Sequence, residues 1–507
     1  MKNKIIDFKH IEKVSKILKK RKKRIVQCHG VFDLIHFGHL KHFEAAKKFG
    51  DVLIVSVTPD KYVNKGINRP FFNFTQRLEA LSALEIIDYV VLNNSETAVE
   101  IINKIKPNFY CKGPDYKDAK KDVTGNIDAE INAVKKNGGE IKITYQQTFS
   151  SSKLLNEFAG ILNNVQKKFI LKMKSIKMPI DYFRKIENLK KLKVLVIGEA
   201  IIDKYIFCEA LGKSGKEPHL VLRNIREETY AGGTIAIAKH LSNFCNSITL
   251  LSMLGHKKEY EPFIKKNLPK NVKTKFLYKH NSPTIEKKRF IDSVSKSKVL
   301  GVYSINDEEL TEKDEINFKK LVLKFISNFD VVIVSDYGHG LISKNLAKII
   351  CKKSQFLALN AQVNASNIGY HSILKYKNVD CVIINENELR HELRDKNQNI
   401  ELLIKKLSKF LKVKDLIVTR GKEGAILYNS KEKKIINCPA FASKVVDKVG
   451  AGDAMMSILS ILLKSKFNKN LSLFLASLAG AQSVETIGNI SSVNKIKLLK
   501  SAQHILQ

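Results

Sequence analysis

The sequence predicts two doubly wound α/β domains joined by a basic helical segment. Short apolar strands alternate with amphipathic helices over residues 24–145, and the same alternation starts again at 193–198 (KVLVIG). Such alternation indicates βαβ units and a parallel sheet. Between the two patterns, residues 160–193 combine helical periodicity with many lysines, and Pro179 interrupts them. The predicted boundaries are 1–158 for the first domain, 159–192 for the linker and 193–507 for the second domain.

The first domain is predicted to open with an amphipathic helix and then to alternate strands with helices. Its most apolar segment, 51–57 (DVLIVSV), is typical of a strand that is buried on both faces of a parallel sheet. The predicted helices are 8–23, 37–49, 76–84, 96–104 and 128–136, and the predicted strands are 24–28, 51–57, 89–92, 108–112 and 140–145.

The second domain repeats this pattern over a longer stretch of chain. Its most apolar segment, 454–463, is predicted to be a buried helix because it is too long for an ordinary strand. The predicted strands of this domain are 193–198, 330–335, 356–359, 381–384 and 416–419.

The composition is that of a globular cytoplasmic protein. Of the 507 residues, 44% are hydrophobic and 27% are charged, which excludes a disordered or collagen-like chain. No apolar run reaches the ~18 residues that cross a bilayer. The seven cysteines are scattered and form no C-x-x-C pair, which fits a reducing compartment. We therefore expect a cytoplasmic protein with no membrane insertion.

The chain carries a large excess of positive charge. It has 88 lysines and arginines against 50 acidic residues, a formal net charge of +38, so a nucleic-acid partner is one hypothesis. The basic residues are mostly lysines spread along the chain, and they are not interleaved with aromatic residues. We therefore interpret the charge as a compositional bias that attracts phosphorylated substrates, and we expect no nucleic-acid partner.

Two histidines three residues apart follow the first predicted strand. In the loop 30–39 (GVFDLIHFGH), His36 and His39 stand at the first turn of the next helix, on one side of it. Ligands bind at the carboxyl ends of strands in a doubly wound sheet, and a helix N-terminus there favours anions. Each imidazole can donate a hydrogen bond to a phosphate oxygen, and Gly38 lets a phosphate approach the backbone. The alternative is a pair of solvated or capping histidines.

This loop resembles the signature of a nucleotidyltransferase superfamily that includes glycerol-3-phosphate cytidylyltransferase. Further segments resemble, more narrowly, the adenylyltransferase half of the bifunctional heptose-phosphate kinase/adenylyltransferase family, and together they cover most of residues 24–158. These segments are 68–70 (NRP), 76–78 (QRL), 112–116 (KGPDY), 137–140 (NGGE) and 149–153 (FSSSK).

The resemblance implies a Rossmann-like nucleotidyltransferase domain. A sugar 1-phosphate oxygen would attack the α-phosphate of a nucleoside triphosphate, and pyrophosphate would leave. The triphosphate is ATP by similarity to the heptose enzyme, or CTP by similarity to the broader superfamily. By the family pattern, His36 and His39 hold the triphosphate and stabilise the leaving pyrophosphate. The other implied nucleotide and phosphate contacts are Gly30, Phe32, Asp33, Gly38, Arg77, Lys112, Ser150, Ser151 and Ser152.

Two glycines and an aspartate open the apolar helix of the second domain. In 450–453 (GAGD), the glycines allow consecutive backbone N–H groups to converge on an anion. The adjacent Asp453 can remove the proton of a substrate hydroxyl. Positioning, charge neutralisation and proton removal are what phosphoryl transfer needs. The alternative is an ordinary glycine-rich loop with a capping aspartate.

The second domain resembles ribokinase-like sugar kinases of the PfkB family over nearly its whole length. The resemblance implies an ATP-dependent sugar kinase with a small β lid, and Mg²⁺ as a cofactor that Glu388 organises through water. By this match Asp453 is the catalytic base. The matching segments are 198–203 (GEAIID), 230–233 (YAGG), 335–338 (SDYG), 385–388 (NENE), 419–421 (TRG) and 450–453 (GAGD). The implied sugar contacts are Asp203, Gly232 and Gly233, and the implied nucleotide and phosphate contacts are Asn385, Glu388, Thr419, Arg420, Gly421, Gly450, Ala451 and Gly452.

Three positions depart from the PfkB pattern. Ala236 stands where relatives carry an asparagine, residues 360–362 (NAQ) replace Asp-Pro-Lys, and Val449 replaces a threonine. The first two lie on the sugar side and remove polar or charged contacts. The domain order is also reversed relative to the heptose enzyme, in which the kinase comes first.

Two hypotheses for the function follow. The first is a bifunctional sugar kinase and nucleotidyltransferase that makes a nucleotide-activated sugar, such as an ADP-heptose-like precursor of surface polysaccharide. The second keeps an active transferase and makes the second domain a degenerate sugar-sensing or scaffolding module. Both take sugar phosphates and nucleoside triphosphates as ligands. Because PfkB kinases are often dimers through the lid, the resemblance also implies a homodimer, here through residues 206–229.

Overall fold

The computed structural model describes residues 4–63, 69–113, 126–144, 162–175 and 182–506. The chain folds into two units, one formed by Met1–Ile170 with Leu499–Gln507 and the other by Leu171–Leu498. Both units have the α/β architecture that the alternating pattern predicts, so the fold class is confirmed. The domain boundaries near 158 and 193 stay a prediction.

The first unit contains a six-stranded parallel sheet. Its strands are β1 (Ile5–Ile6), β2 (Ile25–Gly30), β3 (Val52–Val57), β4 (Tyr89–Leu92), β5 (Phe109–Lys112) and β6 (Glu140–Ile143). The strand order is β1-β4-β3-β2-β5-β6, and every pair is parallel. Later strands are therefore added on both sides of β2, and the loop after β2 lies at the point where the winding reverses.

Helices cover both faces of this sheet. Successive residues of β3 enter different apolar clusters, since Ile54 packs with Ile102 and Leu53 packs with Phe43. This alternation explains why the strand is apolar throughout. The helices are α1 (Ile11–Lys20), α2 (Phe37–Lys47), α3 (Phe74–Ser82), α4 (Val99–Ile105) and α5 (Asn126–Lys136).

The basic segment predicted as a linker contains two helices. They are α6 (Asn164–Ser175) and α7 (Tyr182–Asn188). The predicted breaker, Pro179, lies outside the described residues.

The second unit contains a nine-stranded sheet in the order β11-β10-β7-β14-β15-β16-β17-β18-β19. These strands are β7 (Lys193–Gly198), β10 (Ser247–Gly255), β11 (Val272–Lys279), β14 (Val331–Asp336), β15 (Leu357–Ala361), β16 (Cys381–Asn385), β17 (Asp415–Thr419), β18 (Ala425–Asn429) and β19 (Lys434–Cys438). The first seven in this order are parallel, whereas the last two pair antiparallel. The sequence analysis did not predict this antiparallel edge.

A separate four-stranded sheet forms the lid. Its strands are β8 (Ala200–Lys213), β9 (Leu220–Gly233), β12 (Glu286–Asp292) and β13 (Lys298–Ser304), in the order β13-β12-β8-β9. The expected lid, 206–229, is therefore too small. The other two strands, β12 and β13, come from a segment that begins more than 50 residues after β9 ends, and β12 pairs with β8.

Nine helices complete the described part of the chain. The apolar segment 454–463 lies in α14, which packs against the almost entirely buried α15. No helix within the described ranges is both long and apolar enough to cross a membrane. The nine helices are α8 (Thr234–Ser242), α9 (Glu261–Asn267), α10 (Glu312–Phe325), α11 (Lys344–Lys353), α12 (Glu386–Leu393), α13 (Ile400–Leu411), α14 (Ala451–Lys464), α15 (Lys469–Val484) and α16 (Lys495–Leu506).

Candidate active sites

The two predicted histidines lie together where β2 gives way to α2. His36 is the N-cap residue of α2 and His39 belongs to its first turn. Their rings stack with centroids 3.9 Å apart and an interplanar angle of 29°. The structure therefore brings both imidazoles to the carboxyl edge of the first sheet, at the N-terminus of a helix.

Backbone hydrogen bonds determine which nitrogen of each ring carries the proton. The N–H of Gly38 donates to His36 Nδ1 at 3.1 Å, and the N–H of His36 donates to His39 Nδ1 at 3.4 Å. A neutral imidazole whose Nδ1 accepts a hydrogen bond carries its hydrogen on Nε2. Both rings therefore have an Nε2–H, which is the group that can donate to a phosphate oxygen.

Phe32 supports this pair from behind. Its backbone is left-handed (φ 50°), and its buried ring meets the His39 ring edge-on at 5.4 Å. A Cβ at Gly30 would lie 3.0 Å from the tip of the Phe32 ring. Gly30 is therefore a glycine because the aromatic ring folds back over it, which is a packing role.

Asp33 and Arg77 are buried and bind protein groups. Asp33 accepts hydrogen bonds from Arg69 Nη1 at 3.1 Å and from the N–H of Phe72 at 2.9 Å. The Arg77 guanidinium donates to three oxygens of neighbouring loops: Val31 O (2.5 Å), Thr58 O (2.8 Å) and Asp60 Oδ1 (2.5 Å). This geometry favours a positioning role for both residues over direct phosphate contact.

Lys112 ends β5, the strand next to β2, so it reaches the same edge of the sheet. Its ammonium pairs with Glu130 at 2.8 Å and lies 5.2 Å from the centre of the Tyr110 ring. Burial and the Lys112 charge together lower the pKa of His29 and of His42 to about 4. Lys112, paired with Glu130, therefore lies close enough to His29 and His42 to favour their neutral forms. The predicted residues Ser150, Ser151 and Ser152 lie outside the described residues.

In the second unit, Asp453 lies in the first turn of α14. Its Oδ1 accepts a hydrogen bond from the Tyr337 hydroxyl at 3.0 Å. Burial raises the pKa of Asp453 to about 7; the nearby charges of Asp203 and Glu388 add to this, and the Tyr337 hydroxyl opposes it. A carboxylate with a near-neutral pKa at a helix N-terminus is suited to act as a general base.

The glycines next to Asp453 have distinct roles. Gly450 is the N-cap of α14 with φ 86°, and a Cβ there would collide with the side chain of Asn489. Gly452 is exposed, and a Cβ there would meet nothing within 4 Å, so there is open space beside this turn. This is the geometry expected of a loop that receives a phosphoryl group.

The predicted sugar residues meet where the lid joins the nine-stranded sheet. Asp203 on β8 is buried and forms an ion pair with Arg289 of β12. A Cβ at Gly232 would collide with the Asp203 carboxylate, and Gly233 has φ 60°. Lys287 stands directly opposite Asp203 on β12, so the same face of the lid carries two cations beside one carboxylate.

The predicted nucleotide residues lie at the ends of β16 and β17. Asn385 and Glu388 form a capping box at the start of α12, with each side chain accepting the other residue's N–H. Burial raises the pKa of Glu388 to about 7. Arg420 follows β17 and pairs with Glu386 at 2.8 Å. Thr419 is the last residue of β17, and Gly421 has φ 56° with open space at its Cβ position.

The donor set of this site fits a loosely held divalent cation. The described residues contain no cluster of three or more acidic, histidine or cysteine side chains that could enclose a metal. Glu388 and Asp453 are both buried enough to have raised pKa values, and each would be stabilised by a nearby cation. Mg²⁺ is commonly held by one or two carboxylates, water and substrate phosphates. In that arrangement it would neutralise charge on the transferred phosphoryl group.

The positions that depart from the PfkB pattern are accommodated within the protein. Ala236 is buried in the first turn of α8. The Asn360 amide donates to Ile383 O at 2.8 Å, and Ala361 is buried. The Asn360 side chain therefore bonds to the neighbouring strand β16.

The sequence analysis missed three residues that lie at the candidate site of the second unit: Lys287, Arg289 and Glu199. Glu199 is fully buried and accepts the N–H groups of Tyr337 (2.9 Å) and His339 (3.1 Å), which fixes the loop after β14. The signal for the two cations was their i, i+2 spacing, which places both on one face if 286–292 is a strand.

The two α/β units, each with candidate site residues at its strand ends, match a sugar-kinase domain and a nucleotidyltransferase domain. The chain belongs to the PfkB family of carbohydrate kinases, whose model matches residues 191–496. Residues 27–177 match the cytidylyltransferase-like family. The order of the two matches, transferase first, confirms the domain order inferred from the motifs. Members of both families use nucleoside triphosphates, typically with Mg²⁺.

The similar proteins include several that are named as bifunctional. The chain is 27% identical over 319 residues to Bifunctional protein HldE of Campylobacter jejuni, covering 62% of this chain and 65% of the relative. It is 44% identical over 132 residues to Bifunctional protein HldE of Nitratiruptor, covering 26% and 28%. The matches thus span less than two thirds of each relative. Escherichia coli phosphofructokinase-2 has the same fold over 62% of this chain and 99% of its own, at 15% identity and a TM-score of 0.50.

Proposed function

We propose that the chain is a bifunctional enzyme that phosphorylates a sugar phosphate with ATP and couples a sugar 1-phosphate to a nucleotide. In the kinase reaction, Asp453 takes the proton of the acceptor hydroxyl. The hydroxyl oxygen then bonds to the γ-phosphorus, and ADP leaves. In the transferase reaction, an oxygen of the sugar 1-phosphate bonds to the α-phosphorus, and pyrophosphate leaves. The similarity to the HldE proteins favours a heptose phosphate as the sugar and ATP as the nucleotide.

The observation that carries the kinase proposal is the arrangement around Asp453. A base with a near-neutral pKa, an open helix N-terminus and two lid cations point to one acceptor hydroxyl on an anionic sugar. Lys287 and Arg289 lie on one face of β12, with Asp203 opposite Lys287 on β8 and paired with Arg289. A phosphate on the sugar would accept charge-assisted hydrogen bonds from these two side chains.

The observation that carries the transferase proposal is the orientation of the two imidazoles. Both Nε2–H groups are set by backbone hydrogen bonds to Nδ1 before any ligand arrives. Preorganised donors of this kind stabilise charge that develops in a transition state. His36 and His39 would therefore bind the leaving pyrophosphate, with Lys112 supplying a positive charge at the neighbouring strand end.

A screen of sugar phosphates with each nucleotide tests both halves at once. ADP release reports the kinase, and pyrophosphate release reports the transferase, each with ATP and with CTP. We expect heptose 7-phosphate to support ADP release and heptose 1-phosphate to support pyrophosphate release with ATP. The absence of both products with every sugar phosphate would disprove the proposal.

A degenerate kinase domain is the second candidate function. Ala236 and Asn360 are its supporting observations, because Ala236 has no polar side-chain group and the Asn360 amide N–H is bonded to Ile383 O. In that case sugar phosphates would bind and shift the thermal unfolding of the protein, but ADP release would not depend on them.

We also infer a homodimer formed through the lid and a cytoplasmic location. β13 is exposed along its whole length, and the lid presents exposed apolar side chains. Sedimentation or light scattering would show a mass of one chain if the dimer proposal is wrong. All seven cysteines are free thiols, which supports a reducing compartment. The exposed apolar side chains of the lid are Leu211, Leu220, Ile225, Val299, Leu300 and Val302.

A further inference from the structure

A buried carboxylate, Asp447, joins the lid to the loop that precedes α14. Its Oδ2 accepts hydrogen bonds from the Tyr205 hydroxyl (2.5 Å) and from the N–H of Gly488 (3.1 Å). Its Oδ1 accepts from Lys298 Nζ (2.8 Å) and from the N–H of Val449 (3.2 Å). Two of these four donors are lid side chains, and Val449 immediately precedes the N-cap of α14. One carboxylate thus connects two structural parts of the kinase site.

The hydrogen-bond donors of the lid stabilise the ionised form of the Asp447 carboxylate. The Asp447 side chain is 5% exposed, while the Lys298 side chain that reaches it is 42% exposed. Burial raises the pKa of Asp447, but the hydrogen bonds from Lys298 and Tyr205 outweigh burial and leave the pKa below its ordinary value. An ionised, buried carboxylate is costly once its donors withdraw. Movement of the lid away from the loop would leave the Asp447 carboxylate without its hydrogen bonds from Tyr205 and Lys298.

Packing next to Asp447 connects the same two parts. A Cβ at Gly488 would lie 2.7 Å from the Tyr230 ring, so the segment carrying Gly488 packs directly on β9 of the lid. The Tyr230 ring in turn meets the Tyr205 ring edge-on at 5.2 Å. The lid therefore contacts the segments around Asp447 through an apolar contact as well as through the ionic one.

We propose that Asp447 is a positioning residue that couples closure of the lid to the geometry of the 450–452 loop. With the lid closed, Tyr205 and Lys298 hold the carboxylate, and the carboxylate holds the N–H of Val449, which fixes where Gly450 begins. The lid carries Asp203 and Arg289 of the proposed sugar site, and the loop leads to Asp453. Closure of the lid therefore positions the sugar site and the phosphoryl-group site at the same time. This inference rests on the proposed kinase function and assigns a regulatory contact to its site.

Hydrogen exchange on the full-length protein tests the coupling without a substrate. The variants are Lys298→Met and Tyr205→Phe, which remove one lid donor each and leave the loop sequence unchanged. The matched control is Lys288→Met, because Lys288 pairs at 3.2 Å with Glu286 on its own strand. That variant breaks an ion pair within the lid and touches no group of the loop.

We expect both test variants to speed hydrogen exchange of the 446–453 amides by about tenfold, because each variant removes one hydrogen bond to a charged group. The control should leave these amides unchanged. Exchange at 446–453 that stays at the wild-type rate, or faster exchange confined to the lid strands, would overturn the proposal. Asp447→Asn should reproduce the effect; if it fails to fold, the two lid variants still decide the outcome.

Kinetics separate this role from a purely structural one. With a sugar phosphate that releases ADP, Lys298→Met should raise KM for that sugar and lower kcat together, as expected when lid closure assembles a site. Loss of folded enzyme would lower kcat alone and leave KM unchanged, and that result would overturn the proposal. Because hydrogen exchange needs no turnover, an inactive kinase and an absent coupling give distinguishable results.

Discussion

The Tyr337 hydroxyl donates a hydrogen bond to Asp453 across 3.0 Å. Tyr337 follows β14 directly, and its own N–H is held by the buried Glu199 carboxylate. The position of the proposed base is therefore fixed from the central strand of the sheet as well as from its own helix. A hydrogen bond to the ionised carboxylate also opposes the rise in pKa that burial causes.

Replacing Tyr337 with phenylalanine should move the pH dependence of the kinase. The Tyr337→Phe variant loses the hydrogen bond that favours ionised Asp453, so the pKa of Asp453 should rise above about 7. Activity requires the ionised base, so the acidic limb of the kcat/KM profile should shift to higher pH. Tyr376→Phe is the matched control, because the buried Tyr376 hydroxyl bonds to Asp336 instead. An unchanged profile in Tyr337→Phe would mean that Asp453 is not the titrating base.

Asp453→Asn should abolish the kinase activity and leave the nucleotidyltransferase activity unchanged. General-base catalysis contributes about 10²- to 10⁴-fold, so sugar-dependent ADP release should fall by that factor. Pyrophosphate release should remain at the wild-type rate, since the histidine loop contains no group of α14. If sugar-dependent ADP release in the variant equals that of the wild type, Asp453 is not the catalytic base; if neither protein shows any, the degenerate-kinase hypothesis holds.

His39→Ala should have the reciprocal effect. Loss of one preorganised donor to a developing charge typically lowers the rate by about 100- to 1,000-fold, so pyrophosphate release should drop by this factor. Sugar-dependent ADP release serves as the internal control and should not change. His36→Ala should behave alike and should also lose the N-cap of α2, so its thermal stability should be lower than that of His39→Ala. Wild-type pyrophosphate release in both variants would contradict the assignment.

Arg77→Met should destabilise the first unit. The substitution leaves two loop carbonyls and Asp60 without their donor, and each unsatisfied buried group costs about 1–3 kcal/mol. We therefore expect a loss of about 2–5 kcal/mol in the free energy of unfolding, measured by chemical denaturation. Arg24→Met is the control, because Arg24 and Asp51 form an exposed pair at 3.6 Å, and such pairs contribute about 0–1 kcal/mol. Equal effects would mean that the Arg77 contacts do not support the loops.

Asp453→Asn should also change how stability depends on pH. The folded-state pKa of about 7 lies above the ordinary 3.8, so the folded protein binds the proton more tightly than the unfolded chain does. This group therefore lowers stability progressively as the pH rises from about 4 to 7. Removing the carboxyl should raise the melting temperature more at pH 8 than at pH 5. Equal shifts at both pH values would show that the carboxyl ionises normally.

Periodicity was enough to predict the central sheets. The run 51–57 and the predicted strand 193–198 correspond to β3 and β7 within one residue, because continuous apolar strands are buried on both faces of a parallel sheet. The positions of the two candidate phosphate loops could be predicted for a related reason. Topology places strand ends and helix N-termini together, and the structure places His36, His39 and Asp453 at such ends, while their roles stay predictions.

The lid was harder to predict because it lacks a periodic signal. β12 reads EKKRFID, whose charged residues do not alternate with apolar ones, and β13 is exposed at every position. The two cations on β12 come close to Asp203 only because β12 pairs with β8, which lies more than 80 residues earlier in the chain. Arg289 and Lys287 were therefore missed even though Asp203 was predicted.

Side-chain direction was the other missing information. Residue type and motif position indicated that Arg77 and Asp33 lie near the histidine loop. They did not indicate whether these side chains face a ligand or the protein. Their partners lie 17–46 residues distant in sequence, on separate loops. Such contacts depend on how loops pack, which a single sequence does not report.

The positions of the two sets of site residues along the chain bear on how such a protein could arise. The described side chains around the imidazoles come from residues between Gly30 and Thr144, and those around Asp453 come from residues between Glu199 and Asn489. Each set of candidate site residues thus lies within its own stretch of the chain. Two ancestral genes could be fused in either order without rebuilding a pocket, which makes the inverted arrangement of this polypeptide an evolutionarily accessible alternative.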